Sequence, residues 1–311
     1  MQTASCDVVG LGVIAVDDML FVDTYSPVPN FKMRVRGRAR QGGGTASCAL
    51  AAAARLGSKT RVLGRLGDNE LSTFAREKLG SLGVDLSCLL HDPAAEPVYC
   101  VIIVAADTGS RAIYGDYTHT RGLEPHELRP EWFAGAKVLL VDHYMPATIL
   151  RGVQMAREAG LQVVSDIERD SPEFPEIRRY IDHLVCSAEF AVPYTKAETP
   201  REACEILDRS GQHASVVVTA GEQGCWYTVA GDSTVRHLPA HPVRPVDTTG
   251  CGDVFHGVFC HGVAQGWPVE RVIAYANAGA AIKATRTGGW LAVPTREEIE
   301  TLLRSGETGG R

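Results

Sequence analysis

The sequence predicts an α/β fold in which a doubly wound, mostly parallel sheet carries helices on both faces. Short runs of β-branched and other apolar residues recur along the chain, at residues 8–9, 138–141, 163–164, 184–185 and 216–218. Helical patterns separate most of these runs, and the clearest in the first half cover residues 49–56 and 69–82. Apolar strands that alternate with helices are typical of a parallel sheet buried on both sides.

Two regions break this alternation. Residues 18–41 and 96–117 contain strand-like segments with no helical pattern between them, and the core of the second is Val98-Tyr-Cys-Val-Ile-Ile-Val104. We therefore expect a single domain over residues 1–311 that carries a small β-sheet lid. The polar, glycine-containing segment 305–311 predicts a disordered tail.

Composition narrows the class of protein. With 311 residues and 45% apolar content, the chain can bury a substantial core. Its net charge of −6 argues against a nucleic-acid-binding surface. We see neither a charged leader nor a run of about 18 apolar residues, so we expect a cytoplasmic protein with no membrane partner. Nine cysteines without a Cys-x-x-Cys pair predict free thiols.

The segment Asp247-Thr-Thr-Gly-Cys-Gly-Asp253 combines a flexible turn, a helix start and two carboxylates. Gly250 and Gly252 let backbone N–H groups converge where residues 254–264 predict a helix, and such a nest binds anions. A carboxylate there would repel phosphate, so Asp253 needs a role, and accepting a proton from an attacking hydroxyl supplies one. The alternative is an ordinary acidic first turn, which contributes about 0.3–1 kcal/mol to a helix.

Several motifs, in order along the chain, resemble those of the ribokinase-like (PfkB) carbohydrate kinases. The segment ending at Asp253 is similar to that family's second signature, with Cys251 where Ala is usual. Its first signature is similar to residues 42–57, which begin Gly-Gly-Gly-Thr-Ala-Ser-Cys. Further matches lie at residues 63–68, 218–224 and 277–289. Together the motifs span nearly the whole chain, which makes coincidence a poor explanation.

The resemblance implies an ATP-dependent kinase that transfers the γ-phosphoryl group to a hydroxyl of a sugar or modified sugar, with Asp253 as general base. Magnesium would be carried on the ATP phosphates. The lid would close over the sugar and pair with a second subunit, which predicts a homodimer. The implied site residues are an anion hole at Gly250, Cys251 and Gly252; a sugar site at Asp17, Gly42 and Gly43; a nucleotide pocket at Thr219, Gly221, Gly224 and Asn277; and a K⁺ site at Asp247, the Thr249 carbonyl and the Gly288 backbone.

The chain also departs from the family pattern. Cys48 stands where the first signature usually has Asn, and Ser187-Ala-Glu-Phe190 replaces an Asn-x-x-Glu element, which leaves the role of Glu189 open. Cys251 is either a thiol activated by the anion nest or a tolerated small residue. In motif detail the chain resembles the subgroup that contains sulfofructose kinase, and Lys32 stands where that enzyme has a lid lysine.

A basic run supports two interpretations. Lys or Arg occupies every second position from 32 to 40, so a strand here would place five cations on one face. Either the charges protect an edge strand, or Lys32 and neighbouring arginines bind an anionic group of the substrate, such as a phosphate or sulfonate.

Other functional classes compete with the kinase interpretation. The run Gly10-Leu-Gly-Val-Ile-Ala15 matches a dinucleotide fingerprint, but strand and turn residues follow it where a helix is required. No Gly-x-x-x-x-Gly-Lys-Ser/Thr run of a P-loop kinase is present. His237 and His241 are flanked by prolines, and His256 with Cys260 suits packing, so we expect no transition metal. A nucleoside kinase of the same family and a catalytically inactive sugar or nucleotide sensor remain as alternatives.

Overall fold

Two β-sheets of different size organise the molecule, for which we use a computed structural model that describes residues 5–25, 30 and 32–308. Within these residues the strands are β1 (Val8–Leu11), β2 (Ala15–Val22), β3 (Gly37–Gly43), β4 (Thr60–Leu66), β5 (Val84–Asp85), β6 (Leu89–His91), β7 (Val98–Ala105), β8 (Arg111–Asp116), β9 (Val138–Val141), β10 (Gln162–Ile167), β11 (His183–Ser187), β12 (Ser215–Thr219), β13 (Cys225–Val229) and β14 (Asp232–Leu238).

Three of the helices that cover the larger sheet overlap the ranges predicted at residues 49–56, 69–82 and 254–264. In the described part of the chain the helices are α1 (Thr45–Arg55), α2 (Glu70–Ser81), α3 (Pro146–Glu158), α4 (Phe174–Ile177), α5 (Ala188–Thr195), α6 (Pro200–Asp208), α7 (Cys251–Ala264), α8 (Val269–Ala284) and α9 (Arg296–Thr308). Asn69 caps α2 by accepting the Ser72 N–H at 2.8 Å, which explains why this helix starts where it does. Among the described residues, no helix combines the length and the apolarity that crossing a bilayer requires.

The larger sheet has the order β14-β13-β12-β11-β10-β9-β1-β4-β5, with β6 paired to β4. Every pairing is parallel except those of β13 with its two neighbours. The doubly wound, mostly parallel fold is therefore confirmed. After β1 the chain passes through the lid to β4 on one side and later returns to β9 on the other. This change of direction opens a crevice at the carboxyl ends of β1 and β9, where α/β sheets usually bind ligands.

The smaller sheet has the order β3-β2-β7-β8 and corresponds to the predicted lid, and we keep that name for it. Its inner face carries an apolar cluster that includes Ala15, Met19, Cys100 and Ile102. The strand predicted for the basic run is wrong in part, because β3 begins at Gly37 and residues 32–36 are not a strand. Only residues 37–40 of the run therefore lie on a strand in which alternate side chains share a face.

The last residues of the basic run, 38–40, lie on β3 at the edge of the lid sheet. Arg40 on β3 donates to Asp18 on β2 at 2.8 Å and also contacts Glu70 at the start of α2. These bonds hold one corner of the lid against the core. At the other end of the chain, α9 continues to Thr308, so residues 305–308 of the segment predicted as a disordered tail are helical. Residues 309–311 lie outside the described residues.

Gly257 sets the distance between α1 and α7, the two helices that carry the family motifs. A Cβ atom at this position would overlap the carbonyl oxygen of Ala49 and crowd Ala52 on α1. Gly257→Ala is therefore expected to lower the free energy of unfolding by about 1–3 kcal/mol, the usual cost of overpacking. Urea unfolding followed by circular dichroism measures the change.

Gly80 in α2 provides the matched control, because a Cβ there would make only an ordinary contact with Leu86. Gly80→Ala should raise the free energy of unfolding by about 0.5–1 kcal/mol through helix propensity. Equal effects of the two substitutions would show that the α1–α7 contact does not constrain the fold.

Candidate active site

The crevice between β1 and β9 is built around the buried side chain of Asp142, which follows β9 directly. Its carboxyl accepts the N–H of Val13 at 2.7 Å, the hydroxyl of Thr45 at 2.7 Å and the N–H of Tyr144 at 2.9 Å. Burial raises the pKa of Asp142 to about 6 although these donors favour the charged form. Asp142 therefore ties the loop after β1 and the start of α1 to the floor of the crevice.

The glycine turn predicted to bind anions lies at the N-terminus of α7 and opens into this crevice. Gly250 is the N-cap and adopts a left-handed conformation with φ 76°, which glycine adopts without strain. Gly252 has open space where a side chain would be. The N–H of Cys251 donates to the Thr248 carbonyl at 3.3 Å, so Gly250 and Gly252 are the better placed of the three predicted donors.

Asp253 lies in the first helical turn of α7, and its side chain points back towards Gly250 in the glycine turn. Its Oδ2 atom would lie 3.5 Å from a Cβ on Gly250, and so would the Cys48 sulfur. Burial raises the pKa of Asp253 well above its usual range, and the nearby Asp166 and Glu168 charges add to the effect. A carboxylate with a raised pKa is a stronger base, as the predicted role requires.

Asp17 projects from the inner face of the lid and shares the crevice with Asp253, whose pKa its charge helps to raise. Burial raises the pKa of Asp17 itself to about 7, although the thiol of Cys100 donates to the carboxylate. Gly43 is required beside it, because a Cβ there would overlap the Asp17 carboxyl. A Cβ on Gly42 would instead overlap the buried ring of Trp290.

The four residues predicted to line the nucleotide pocket meet near the carboxyl end of β12. Thr219 ends β12, while Gly221 and Gly224 delimit the following turn with φ values of 53° and 85°. The Asn277 amide on α8 donates to the Pro239 carbonyl at 2.8 Å, and the same segment closes over Gly224. The residues are thus brought together, while their role in nucleotide binding remains a prediction.

Asp247 is fully buried beneath the glycine turn and is already bonded to the protein. It accepts the Thr249 N–H at 2.8 Å and the Gly288 N–H at 3.0 Å. The ammonium of Lys283 donates to the Asp247 carbonyl oxygen at 2.9 Å. The residues predicted to hold K⁺ are therefore adjacent, but Gly288 directs an N–H towards Asp247 and a buried lysine lies among them.

The other residues singled out in the sequence lie in varied places. Burial raises the pKa of the Cys251 thiol, which favours a tolerated small residue over an activated cysteine. Lys32 is exposed ahead of β3, and Glu189 is exposed in the first turn of α5.

A buried pair that the sequence analysis missed supports the glycine turn. His256 is one helical turn beyond Asp253, and its Nδ1 lies 2.8 Å from the Gly252 carbonyl oxygen and 3.3 Å from Asp166 Oδ2. Burial lowers the pKa of His256 and raises that of Asp166. His256 therefore braces the turn rather than merely filling space. The available signal was the position of Asp166 near the carboxyl end of β10, two residues after the apolar run 163–164, because ligands bind at this edge of a parallel sheet.

Arg111 on the lid is a second residue that the sequence did not reveal. Its guanidinium donates to the hydroxyl of Thr248 at 2.7 Å, across 137 positions of sequence. The contact joins the lid to the glycine turn in the described conformation. No local pattern distinguishes Arg111 from other exposed arginines, so only the fold reveals it.

A family model described as pfkB family carbohydrate kinase matches residues 11–296. The chain belongs to the pfkB family of carbohydrate kinases. As a member it is a phosphotransferase with an alcohol group as acceptor, which confirms the family predicted from the motifs. The resemblance to the sulfofructose kinase subgroup stays a prediction.

Relatives in this family differ in the acceptor that their names give. An aminoimidazole riboside kinase of Salmonella typhimurium is 28% identical, with 85% of this chain and 88% of the relative covered. A 2-dehydro-3-deoxygalactonokinase of Haloferax volcanii is 31% identical, with 86% and 88% covered. The crystal structure of a ribokinase candidate from Agrobacterium tumefaciens superposes with a TM-score of 0.88 at 29% identity, with 98% of this chain and 99% of that chain covered.

Asp17→Asn is expected to stabilise the kinase at pH 8. The folded-state pKa of Asp17 is about 7, above the value of about 3.9 for an unfolded chain. The folded state therefore binds more protons between these pH values, and its stability falls as pH rises through that window. The substitution should raise the free energy of unfolding by about 1–4 kcal/mol at pH 8 and change it little at pH 4, as measured by urea unfolding.

Asp18→Asn is the adjacent control with the opposite sign. The hydrogen bond from Arg40 lowers the pKa of Asp18, so its contribution is present at pH 8 and is lost as pH falls below the unfolded value. This substitution should therefore lower the free energy of unfolding at pH 8, by less than about 1 kcal/mol because the pair is partly exposed. A loss of stability at pH 8 in both variants would contradict the desolvation of Asp17.

Proposed function

We propose that this kinase transfers the γ-phosphoryl group of ATP to a hydroxyl of a sugar or sugar derivative, with Asp253 as general base. The observation that carries the proposal is the placement of Asp253 in the first turn of α7, beside the left-handed Gly250 and across the crevice from Asp17. An acid of raised pKa, convergent N–H groups and a second carboxylate on a lid form a phosphoryl-transfer site in which each part has a role.

The phosphoryl transfer is accompanied by the movement of one proton. The acceptor O–H gives its proton to the Asp253 carboxylate as its oxygen bonds to the γ-phosphorus, and the bond to the β-phosphate oxygen breaks to release ADP. The N–H groups of Gly250 and Gly252, with that of Cys251 in support, stabilise charge on the phosphoryl oxygens. Magnesium would bind the nucleotide phosphates and would neutralise part of their charge. Thr219, Gly221, Gly224 and Asn277 hold the nucleotide.

Asp17 orients the acceptor rather than reacting with it. An ionised carboxylate accepts two hydroxyl hydrogen bonds and so aligns a polyol, and Gly43 gives the sugar close access to the carboxylate. A nucleoside is the second candidate for the acceptor, favoured by the relative named as an aminoimidazole riboside kinase. The sugar moiety would bind Asp17 in either case.

The lid also provides a surface for a second copy of the chain in the cytoplasm. Large apolar side chains that are exposed among the described residues concentrate in the lid region, at Tyr25, Val35, Ile113, Tyr114 and Tyr117. An exposed apolar surface of this kind is typical of an interface, which supports the homodimer.

Asp253→Asn tests the catalytic assignment directly. The variant keeps the shape of the side chain but removes the proton acceptor, so turnover should fall by about 10²–10⁴-fold. Nucleotide binding should stay close to wild type. Acceptor-dependent ADP release over a panel of ketoses, aldoses, their phosphates, sulfofructose and nucleosides measures the first quantity, and calorimetry with Mg·ATP the second.

Glu202→Gln serves as the control, since Glu202 is also a first-turn carboxylate but lies on α6 outside the crevice. It should retain wild-type turnover. Full activity of Asp253→Asn would refute the general-base role. Absence of turnover by the wild-type protein across the panel, with intact nucleotide binding, would favour the sensor alternative.

Lys32→Ala and Arg34→Ala distinguish the two interpretations of the basic run. If these side chains bind an anionic group of the acceptor, the KM for that acceptor should rise by about 10-fold or more while kcat changes little, because a charge-assisted bond is lost. Arg38→Ala on β3 is the control. An unchanged KM for every anionic acceptor in the panel would leave edge protection as the explanation.

A further inference from the structure

A fully buried lysine lies directly beneath the catalytic turn. Lys283 is the penultimate residue of α8 and is 0% exposed. Its ammonium donates to the carbonyl oxygen of Asp247 at 2.9 Å and to that of Arg286 at 3.3 Å. It also lies 3.8 Å from the Asp247 carboxylate. An ammonium removed from water needs such partners, since an unpaired buried charge is costly.

The oxygen atoms around this ammonium are of the kind that coordinate a free monovalent cation. Asp247 contributes both a carbonyl and a carboxylate oxygen, and the C-terminal end of α8 adds its negative dipole. Gly288, expected from the family resemblance to help hold K⁺, instead donates its N–H to Asp247 at 3.0 Å. An N–H is not a cation ligand, and the Asp247 carbonyl oxygen already accepts from the Lys283 ammonium, so a K⁺ ion bound beside Asp247 would be repelled by a fixed positive charge.

The charge of Lys283 reaches the catalytic turn. Asp247 accepts the N–H of Thr249, which directly precedes Gly250, so the ammonium and the turn share one buried network. The Lys283 charge also opposes the effect of burial on the Cys251 thiol and lowers its pKa from what burial alone would give. The positive charge is therefore fixed close to where the anion hole receives a phosphoryl group.

We propose that the Lys283 ammonium takes the place of a monovalent cation beneath the anion hole, so that this kinase needs no K⁺. The inference rests on the proposed anion hole and replaces the K⁺ site expected from the resemblance. Lys283 is a positioning residue: it holds Asp247 and the turn, and it supplies a fixed positive field to the transferring phosphoryl group. Because the cation is covalently part of α8, its occupancy does not depend on the ions in solution.

The first test uses the wild-type kinase. Turnover on an acceptor found in the panel is measured in tetramethylammonium, Na⁺ and K⁺ buffers of matched ionic strength. We expect the three rates to agree within about twofold, since no site competes for the ions beyond general screening. Stimulation by K⁺ of about tenfold or more would overturn the proposal, because an external cation would then be supplying the field.

The second test makes room for an external cation. Lys283→Ala should reduce turnover in tetramethylammonium by about 10- to 100-fold, and K⁺ or methylammonium should restore part of the loss by entering the vacated space. Lys283→Met, which fills much of that space, should lose activity without rescue. If the added cations rescue Lys283→Ala but not Lys283→Met, the ammonium position is a cation site. A lysine with a merely structural role would not produce this difference.

Arg61→Met is the matched control for the loss of a buried cation. Arg61 is 1% exposed and bonds Asp85 and the Trp132 carbonyl near the amino end of β4, away from the crevice. It should lose stability but show no dependence on K⁺. If Lys283→Ala behaved like this control, the proposal would fail.

A readout without turnover separates this inference from the proposed function. The melting temperature of Lys283→Ala should rise with K⁺ relative to tetramethylammonium, whereas that of the wild type should not. This result would support the proposal even if no acceptor in the panel were phosphorylated. A wild-type melting temperature that rises with K⁺ would refute it, and if Lys283→Ala does not fold, the wild-type measurements alone decide.

Discussion

The buried carboxylate of Asp247 is the constraint on which the active site depends. By accepting N–H groups from Thr249 and Gly288, it ties the segment before α7 to the loop after α8. With that segment fixed, Gly250 can turn into its left-handed conformation and start α7 with open N–H groups. Asp253 then reaches the crevice from the first turn of the same helix. One buried acid therefore fixes the position of both the proposed anion hole and the proposed base.

The crevice itself concentrates carboxyl groups, which gives the site its chemical character. Asp17, Asp142, Asp166 and Asp253 all have raised pKa values because burial disfavours their charged forms. Perturbed pKa values of this kind cluster at functional sites, and the proposed mechanism uses two of these carboxyl groups, as a base and as a polyol ligand. Lys283 partly balances these charges from below, while Arg111 approaches the turn from the lid.

Local patterns in the sequence predicted the parallel sheet, the helices α1, α2 and α7 and the position of Asp253, because apolar runs and glycine motifs are local signals. The family resemblance supplied Asp17. Contacts between distant segments were missed. Asp166 lies on β10 and His256 on α7, so no spacing in the sequence marks them as a pair. Lys283 is a single charge in an otherwise apolar turn of α8, and no motif marks it. The basic run misled the prediction because alternation of charge resembles a strand even where residues 32–36 form none.

The most direct test of the phosphoryl transfer is ³¹P NMR of the wild-type kinase with Mg·ATP and each acceptor of the panel. With the right acceptor, the γ-phosphate signal should be replaced stoichiometrically by that of a phosphate monoester, together with the signals of ADP. Without acceptor, ATP should persist. Conversion of ATP only to ADP and inorganic phosphate, at a rate independent of every acceptor, would contradict transfer to a hydroxyl in this crevice.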